Sequence, residues 1–186
     1  SSVWTESQDG FGVKRLDDLQ RFYRTLGVLK ERLGGARLLS ECNGRLSWPQ
    51  RGVYFFMEDG EERSDSGTGL RIVRVGTHAL TQGSMTKLWS RLSQHRGQRI
   101  SGGGNHRGSI FRLIVGTALM AGDEQQFPTW GRGSTGTPSI RAGETLLECR
   151  VSKVIGAMPV LWLAVDDDPG KASLRGDIER NSIALL

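Results

Sequence analysis

Arg91 and His95 stand four residues apart in the run Leu88-Trp89-Ser90-Arg91-Leu92-Ser93-Gln94-His95. At 100° per residue the two side chains lie side by side on a helix, next to Leu88 and Leu92 at the margin of the apolar stripe. A helix packed on a sheet would aim them along its edge. Arginine supplies a planar fork that stays charged, and histidine changes protonation near neutrality, so the pair could share one anionic group. The same pair also reads as surface side chains lying along the rim of a core. His78 follows Gly76-Thr77 at the end of an expected strand, close to the start of the Arg91 helix. It reads either as a base or phosphate ligand, or as a polar residue at a hairpin exit.

These residues sit in a segregated field. Between Asp65 and Asp123 there is no acidic residue, but there are eight Lys/Arg and all three histidines. The chain carries 25 basic and 20 acidic residues in total, so the remainder holds 17 basic against 20 acidic. A one-sign field of this kind suits a polyanion such as nucleic acid, and the bland alternative is a solvated basic face. Arg96, Arg99, His106 and Arg107 are the expected contacts. Gly102-Gly103-Gly104-Asn105-His106-Arg107-Gly108 precedes a helix cap at Ser109. Such a loop could cradle a phosphate or be a mobile surface loop. It is not a P-loop, because the Gly-Lys-Ser/Thr ending is absent. Trp130 and Arg132 could stack on a base or reach into a groove, or simply occupy a Gly-rich loop tip. Asp166-Asp167-Asp168, before Pro169-Gly170, is the densest acidic cluster and reads as a solvated turn.

The elements that must position these groups follow from periodicity. Leu16, Leu19, Phe22, Tyr23, Leu26, Leu29 and Leu33 have helical spacing, and Gly34-Gly35 ends the run. Residues 1–14 look like a frayed start. Gly52 to Met57 reads as a strand closed by Glu58-Asp59-Gly60, with a hairpin loop over 58–69 and a second strand from Leu70 to Gly76. Ser84 or Thr86 would cap the Arg91 helix, which runs to Gly97. Ile110 to Thr117 suggests a short helix, 122–142 a long irregular loop, and Leu147 to Met158 another helix. Val160 to Val165 reads as a buried strand, and a last helix begins near Leu174.

The chain is long enough for one domain with a proper core. Cys42 and Cys149 make neither a disulfide framework nor a metal cluster and fit a reducing, cytoplasmic setting. No run approaches the roughly 20 apolar residues of a membrane span, and no secretory signal is visible.

In order along the chain, Gly52-Val53-Tyr54, Val73-Arg74-Val75-Gly76, the Arg91–His95 helix and Asp177-Ile178-Glu179 resemble the GIY-YIG nuclease superfamily. The resemblance covers roughly residues 50–186 and rests on the order and the Arg–His spacing more than on either tripeptide. It implies an α/β (α+β) fold: a small, mainly antiparallel three-stranded sheet flanked by helices. Residues 1–48 would be an N-terminal helical extension and 49–186 the nuclease-like domain. It also implies metal-dependent hydrolysis of phosphodiester bonds, most naturally of DNA, with RNA the other possibility and bacterial defence a typical setting. Tyr54 would contact or activate water, Arg91 neutralise developing charge, His95 orient a phosphate or shuttle a proton, and Glu179 hold one Mg²⁺ or Mn²⁺.

Two departures stand out. Arg74 replaces the second tyrosine. It cannot readily act as a base, but it could lower the pKa of Tyr54 or hold the phosphate. The asparagine that the family usually carries beyond the metal glutamate has no clear counterpart, since Asn181 is too close. The expectation is a chain that stops short of its natural end. An inactive nucleic-acid-binding module on the same fold, or a basic RNA-binding protein, therefore stays open.

Overall fold

In the computed structural model, residues 6–123 and 125–186 are described, with side-chain placement from residue 12 onward. The chain divides into two compact units. The first comprises the chain up to Arg37, Arg51–Met85 and Pro159–Leu186, and the second Leu38–Gln50 and Thr86–Met158.

The first unit is built on a hairpin. β2 (Gly52–Glu62) pairs antiparallel with β3 (Leu70–Gly76), and β4 (Pro159–Ala164) pairs antiparallel with the other edge of β2. A two-residue strand, β1 (Arg37–Leu38), completes the order β1-β4-β2-β3, so the three expected strands gain a short fourth. β2 runs five residues past Met57. Register shifts after Phe56 and Met57 absorb Glu58-Asp59-Gly60 into the ladder, and Glu62 still faces Leu70. A turn signal has become a bulge, and a cross-strand ion pair between Glu61 and Arg71 lies just beyond it.

Strand alternation divides the sheet into two faces. Val53, Phe55, Val75 and Leu161 join Ile72 and Leu26 in one core, against which Phe22, Tyr23 and Ile178 pack. Tyr54, Phe56, Arg74 and Gly76 lie on the other face, with Trp162 opposite Tyr54. Leu26, Phe22 and Tyr23 come from α1 (Glu6–Arg32), so this helix is part of the core layer. Fully burying a side chain such as Leu26 contributes roughly 1.5–3 kcal/mol, and the half-buried Phe22 and Tyr23 contribute less. The Tyr23 hydroxyl accepts from the Ile72 amide at 3.1 Å, and Phe22 meets Phe55 edge to face. α1 starts at Glu6, well before the apolar period begins. No proline interrupts 6–15, and Arg15 reaches the Leu185 carbonyl on α5 (Leu174–Leu185). Of the expected frayed start, residues 1–5 lie outside the described residues.

The second unit is helical. α2 (Leu88–Arg96), α3 (Ile110–Ala121) and α4 (Pro138–Ala157) are joined by loops, with single 3-10 turns at Leu39–Glu41 and His106–Gly108. α2 begins after Lys87 rather than after Ser84 or Thr86, and the Leu88 amide is bonded by the Gln50 carbonyl. Ser109 caps α3 as the sequence suggests, its hydroxyl accepting from Arg112 N. α4 is a full 20 residues because Thr137 caps it and Pro138 opens it. The expected long loop therefore stops at residue 137.

Candidate active site

β2 and β3 bring Tyr54 and Gly76 directly opposite each other. The Tyr54 phenol lies so tightly over Gly76 that a Cβ there would sit 2.6 Å from ring carbon Cε2 and overlap the hydroxyl end. Only glycine admits this approach. Tyr54 is 1% exposed. The next residue, Thr77, donates its amide to Glu179 Oε1 at 3.2 Å, while its hydroxyl ties the strand ends together through Gly52 O at 2.8 Å. Phenol and carboxylate thus address consecutive residues of one backbone segment. Glu179 is half-buried, and that amide is its one hydrogen-bond partner among the described residues. A hard carboxylate with a second oxygen left over suits Mg²⁺, which usually takes one or two protein carboxylates and keeps several waters. No group of three candidate ligands exists among the described residues, so any ion here would rest mainly on Glu179.

Arg74 lies on the Tyr54 face, two residues before Gly76 and opposite Phe56. His78 is buried, and its carbonyl accepts from Arg175 Nη1 at 2.6 Å. Arg175, absent from the residues the sequence nominates, is fully buried. Its Nε pairs with Asp167, its amide donates to the same carboxylate, and Nη2 reaches Asp168 O. Arg51 also donates to Asp167 O. Burial alone would raise the Asp167 carboxyl, but the hydrogen bonds and charge of Arg175 outweigh it and hold the pKa below the ordinary value. The acidic turn is therefore no solvated turn at Asp167. It anchors the N-terminus of the helix that carries Glu179.

In the second unit α2 presents Arg91 half-buried, donating to Gly108 O at 3.0 Å and Gln94 Oε1 at 3.1 Å. His95 does not lie on an edge: it is fully buried, its Nδ1 2.7 Å from Ser109 Oγ and its ring edge-on to Phe111. The basic window is also less exposed than its sequence suggests. Arg107 forms a two-bonded pair with Glu144 at 2.6 and 2.9 Å, and its side chain is 5% exposed. Arg112, fully buried, binds Glu148 at 2.5 and 3.0 Å and donates to His95 O. His106 accepts from Gly131 N at Nε2, so Nδ1 is the nitrogen that donates to Glu148 at 3.0 Å.

Both glutamates come from α4, outside the acid-free window. Their hydrogen bonds from Arg107, and from His106 and Arg112, hold them below the usual carboxylate range, for Glu148 against a burial that would raise it. His106 and Arg107 are thus committed to internal partners, which is hard to reconcile with contact to nucleic acid. Trp130 is buried too, stacked on His106 at 3.8 Å and donating to Leu113 O. The glycine run packs likewise: a Cβ on Gly104 would lie 2.5 Å from Arg112 Nε. Arg99 and Arg132 remain exposed, and Arg96 is half-buried.

A visible signal accompanied the two buried arginines. Arg112 and Arg175 each lie in the first turn of a helix, where the dipole disfavours a cation, and such a broken rule flags a specific carboxylate partner. No helix among the described residues is long and apolar enough to cross a membrane.

Comparison with known proteins yields one family. No curated protein and no solved structure matches the chain. A family model described as the GIY-YIG domain matches residues 13–186, which takes in the hairpin with Tyr54 and Gly76, the Arg91 helix and the Glu179 helix. With nearly its whole length matched, the chain belongs to the GIY-YIG family, a nuclease-type domain.

Proposed function

We propose that the chain is a divalent-metal-dependent endonuclease that hydrolyses phosphodiester bonds of DNA. The observation that carries this reading is the approach of Tyr54 and Glu179 to the adjacent residues Gly76 and Thr77. In this mechanism the Tyr54 hydroxyl contacts the attacking water and orients it toward the phosphate. Arg74, on the same sheet face, supplies positive charge toward the phosphate. Arg91 would neutralise charge on the phosphate oxygens with its planar fork, His78 would handle a proton, and His95, buried against Ser109 and Phe111, would act through its helix rather than by touching the phosphate. Glu179 would hold the ion, Mg²⁺ or Mn²⁺. When bound, that ion supplies Lewis-acid stabilisation of the negative charge on the phosphate and leaving oxygen. Arg96, Arg99 and Arg132 are the basic side chains that would track the DNA backbone, whose contacts release counterions and make affinity fall with salt.

The arginine at position 74, where the family has its second tyrosine, favours a second reading: a module that binds nucleic acid without cutting it. One experiment separates the two. The purified chain is incubated with supercoiled plasmid and Mg²⁺ or Mn²⁺, with and without chelator, beside a single-stranded RNA control. Nicking that stops with chelator supports the nuclease. Salt-sensitive binding with no metal-dependent nicking supports the binding module.

A further inference from the structure

A cavity of about 720 Å³ opens in the second unit, lined by none of the residues assigned to the chemical step. This is within the size range of small-molecule sites, roughly 300–1,000 Å³. Its floor is one face of α4, where Cys149, Ser152, Gly156 and Ala157 recur at helical spacing. All four are small, so the helix face stays open. The wall is the end of α2 and the loop after it, with Arg96, Gln98, Arg99 and Ser101, and Lys153 stands beside the floor. No acidic side chain lines the cavity.

The three cations differ in their restraint. Arg96 is fixed: its guanidinium lies 5.0 Å from the Trp89 ring centroid and donates to Cys42 O at 2.6 Å. Burial, and after it the neighbouring Arg99, lower the Arg96 pKa, as expected for positive charge with no carboxylate beside it. Arg99 and Lys153 are exposed and have no hydrogen-bond or ion-pair partner among the described residues. Fixed charge at the wall, two exposed cations without internal partners and a mostly apolar floor suit an anion with a flat, largely apolar body. Gln98, Ser101 and Ser152 add polar groups to the lining, Gln98 and Ser101 bonded to each other and Ser152 held by Arg112 and Gly103 O.

We propose that this pocket receives a single nucleotide unit, its base on the α4 floor and its phosphate between Arg99 and Lys153. The choice of a nucleotide among organic phosphates rests on the nuclease reading above. The unit is either a free mononucleotide or a nucleotide turned out of the substrate strand, an extrusion cheapest at an unpaired position.

Cys149 gives a readout that needs no cleavage. It is a half-buried free thiol on the pocket floor, whereas Cys42 is fully buried elsewhere. The whole chain is alkylated with iodoacetamide in chelator, and modification at Cys149 is followed by peptide mass spectrometry. The competitors are deoxyadenosine monophosphate, inorganic phosphate, a paired DNA duplex, and the same duplex with one unpaired nucleotide. Several-fold slowing by the mononucleotide identifies the free source, and slowing by the bulged duplex beyond the paired one identifies the strand. Either supports the pocket. The proposal is overturned if neither exceeds inorganic phosphate and paired duplex.

Arg99→Met with Lys153→Met keeps both stems at exposed positions and removes both charges, and it is expected to abolish the protection. Protection that survives in this variant overturns the phosphate placement. Calorimetric titration with the mononucleotide reads the same binding without the thiol, and no heat with the parent chain overturns it too. Because metal is absent throughout, loss of the nuclease reading would leave these results standing, and nuclease activity would not rescue a pocket that fails them.

Discussion

The Tyr54 phenol fills the space in which residue 76 would carry a side chain. The two residues face each other across the β2–β3 ladder, so the glycine of the second motif exists to seat the tyrosine of the first. Gly76→Ala is therefore expected to push the ring away or strain the hairpin, at about 1–3 kcal/mol for overpacking. Thermal unfolding should show this loss, and cleavage should fall with it. A Gly76→Ala variant with parental stability and activity would mean that the Tyr54 position is not restrictive.

Tyr54→Phe removes one oxygen and leaves the ring in place. It is expected to spare folding and DNA binding and to suppress cleavage. Arg91→Lys keeps charge but loses the fork, and cleavage should drop by about 10²-fold, as for loss of one transition-state donor, while binding persists. Single-turnover cleavage alongside a binding titration separates these effects. Undiminished cutting by both variants would remove them from the site.

Glu144, Glu148 and Asp167 are all held below their ordinary pKa in the folded chain. A carboxylate depressed by folding contributes stability that is present above its unfolded pKa, near 4 for these side chains. That contribution is lost as pH falls through the lower folded value. Melting temperature should therefore stay nearly level from neutrality to about pH 5 and decline below about pH 4. Glu148→Gln should shrink that decline while lowering stability at neutral pH, since it leaves the Arg112 charge buried without its carboxylate. Melts from neutral to acid pH check both, and an equal acid decline in the variant would contradict the assignment.

Asp167→Asn should destabilise by about 1–3 kcal/mol, since it leaves the fully buried Arg175 charge without its half-buried carboxylate. Asp166→Asn, at an exposed neighbour, should change little. Denaturant unfolding of the two variants compares them directly. Equal stabilities would mean that Arg175 does not depend on Asp167.

What was legible in the sequence were features written in local pattern. The second strand, the Ser109 cap, the buried final strand and the last helix all follow from period and capping chemistry within a few residues. So does the likeness of Tyr54, Gly76, Arg91 and Glu179 to one family. What was not legible depended on partners distant in sequence. Arg107 and Arg112 lie in a stretch without acids, and only the packing of α4, more than 30 residues on, supplies Glu144 and Glu148. His95 and Trp130, which local pattern placed at an edge and in a loop tip, are buried against Ser109 and Phe111 and against His106 and α3. The turn signal at Glu58-Asp59-Gly60 was overridden because a bulge lets the ladder continue.

The metal role of Glu179 is the central claim. Glu179→Gln nearly keeps the shape and the acceptor for the Thr77 amide, but it removes the negative charge. The direct measurement is plasmid nicking by the parent and Glu179→Gln chains across a Mg²⁺ titration, with DNA binding and melting temperature followed in parallel. The expected result is metal-dependent nicking by the parent and none by the variant, with binding retained and stability within about 1 kcal/mol. Nicking by Glu179→Gln at the parental rate and the parental Mg²⁺ dependence would contradict the account.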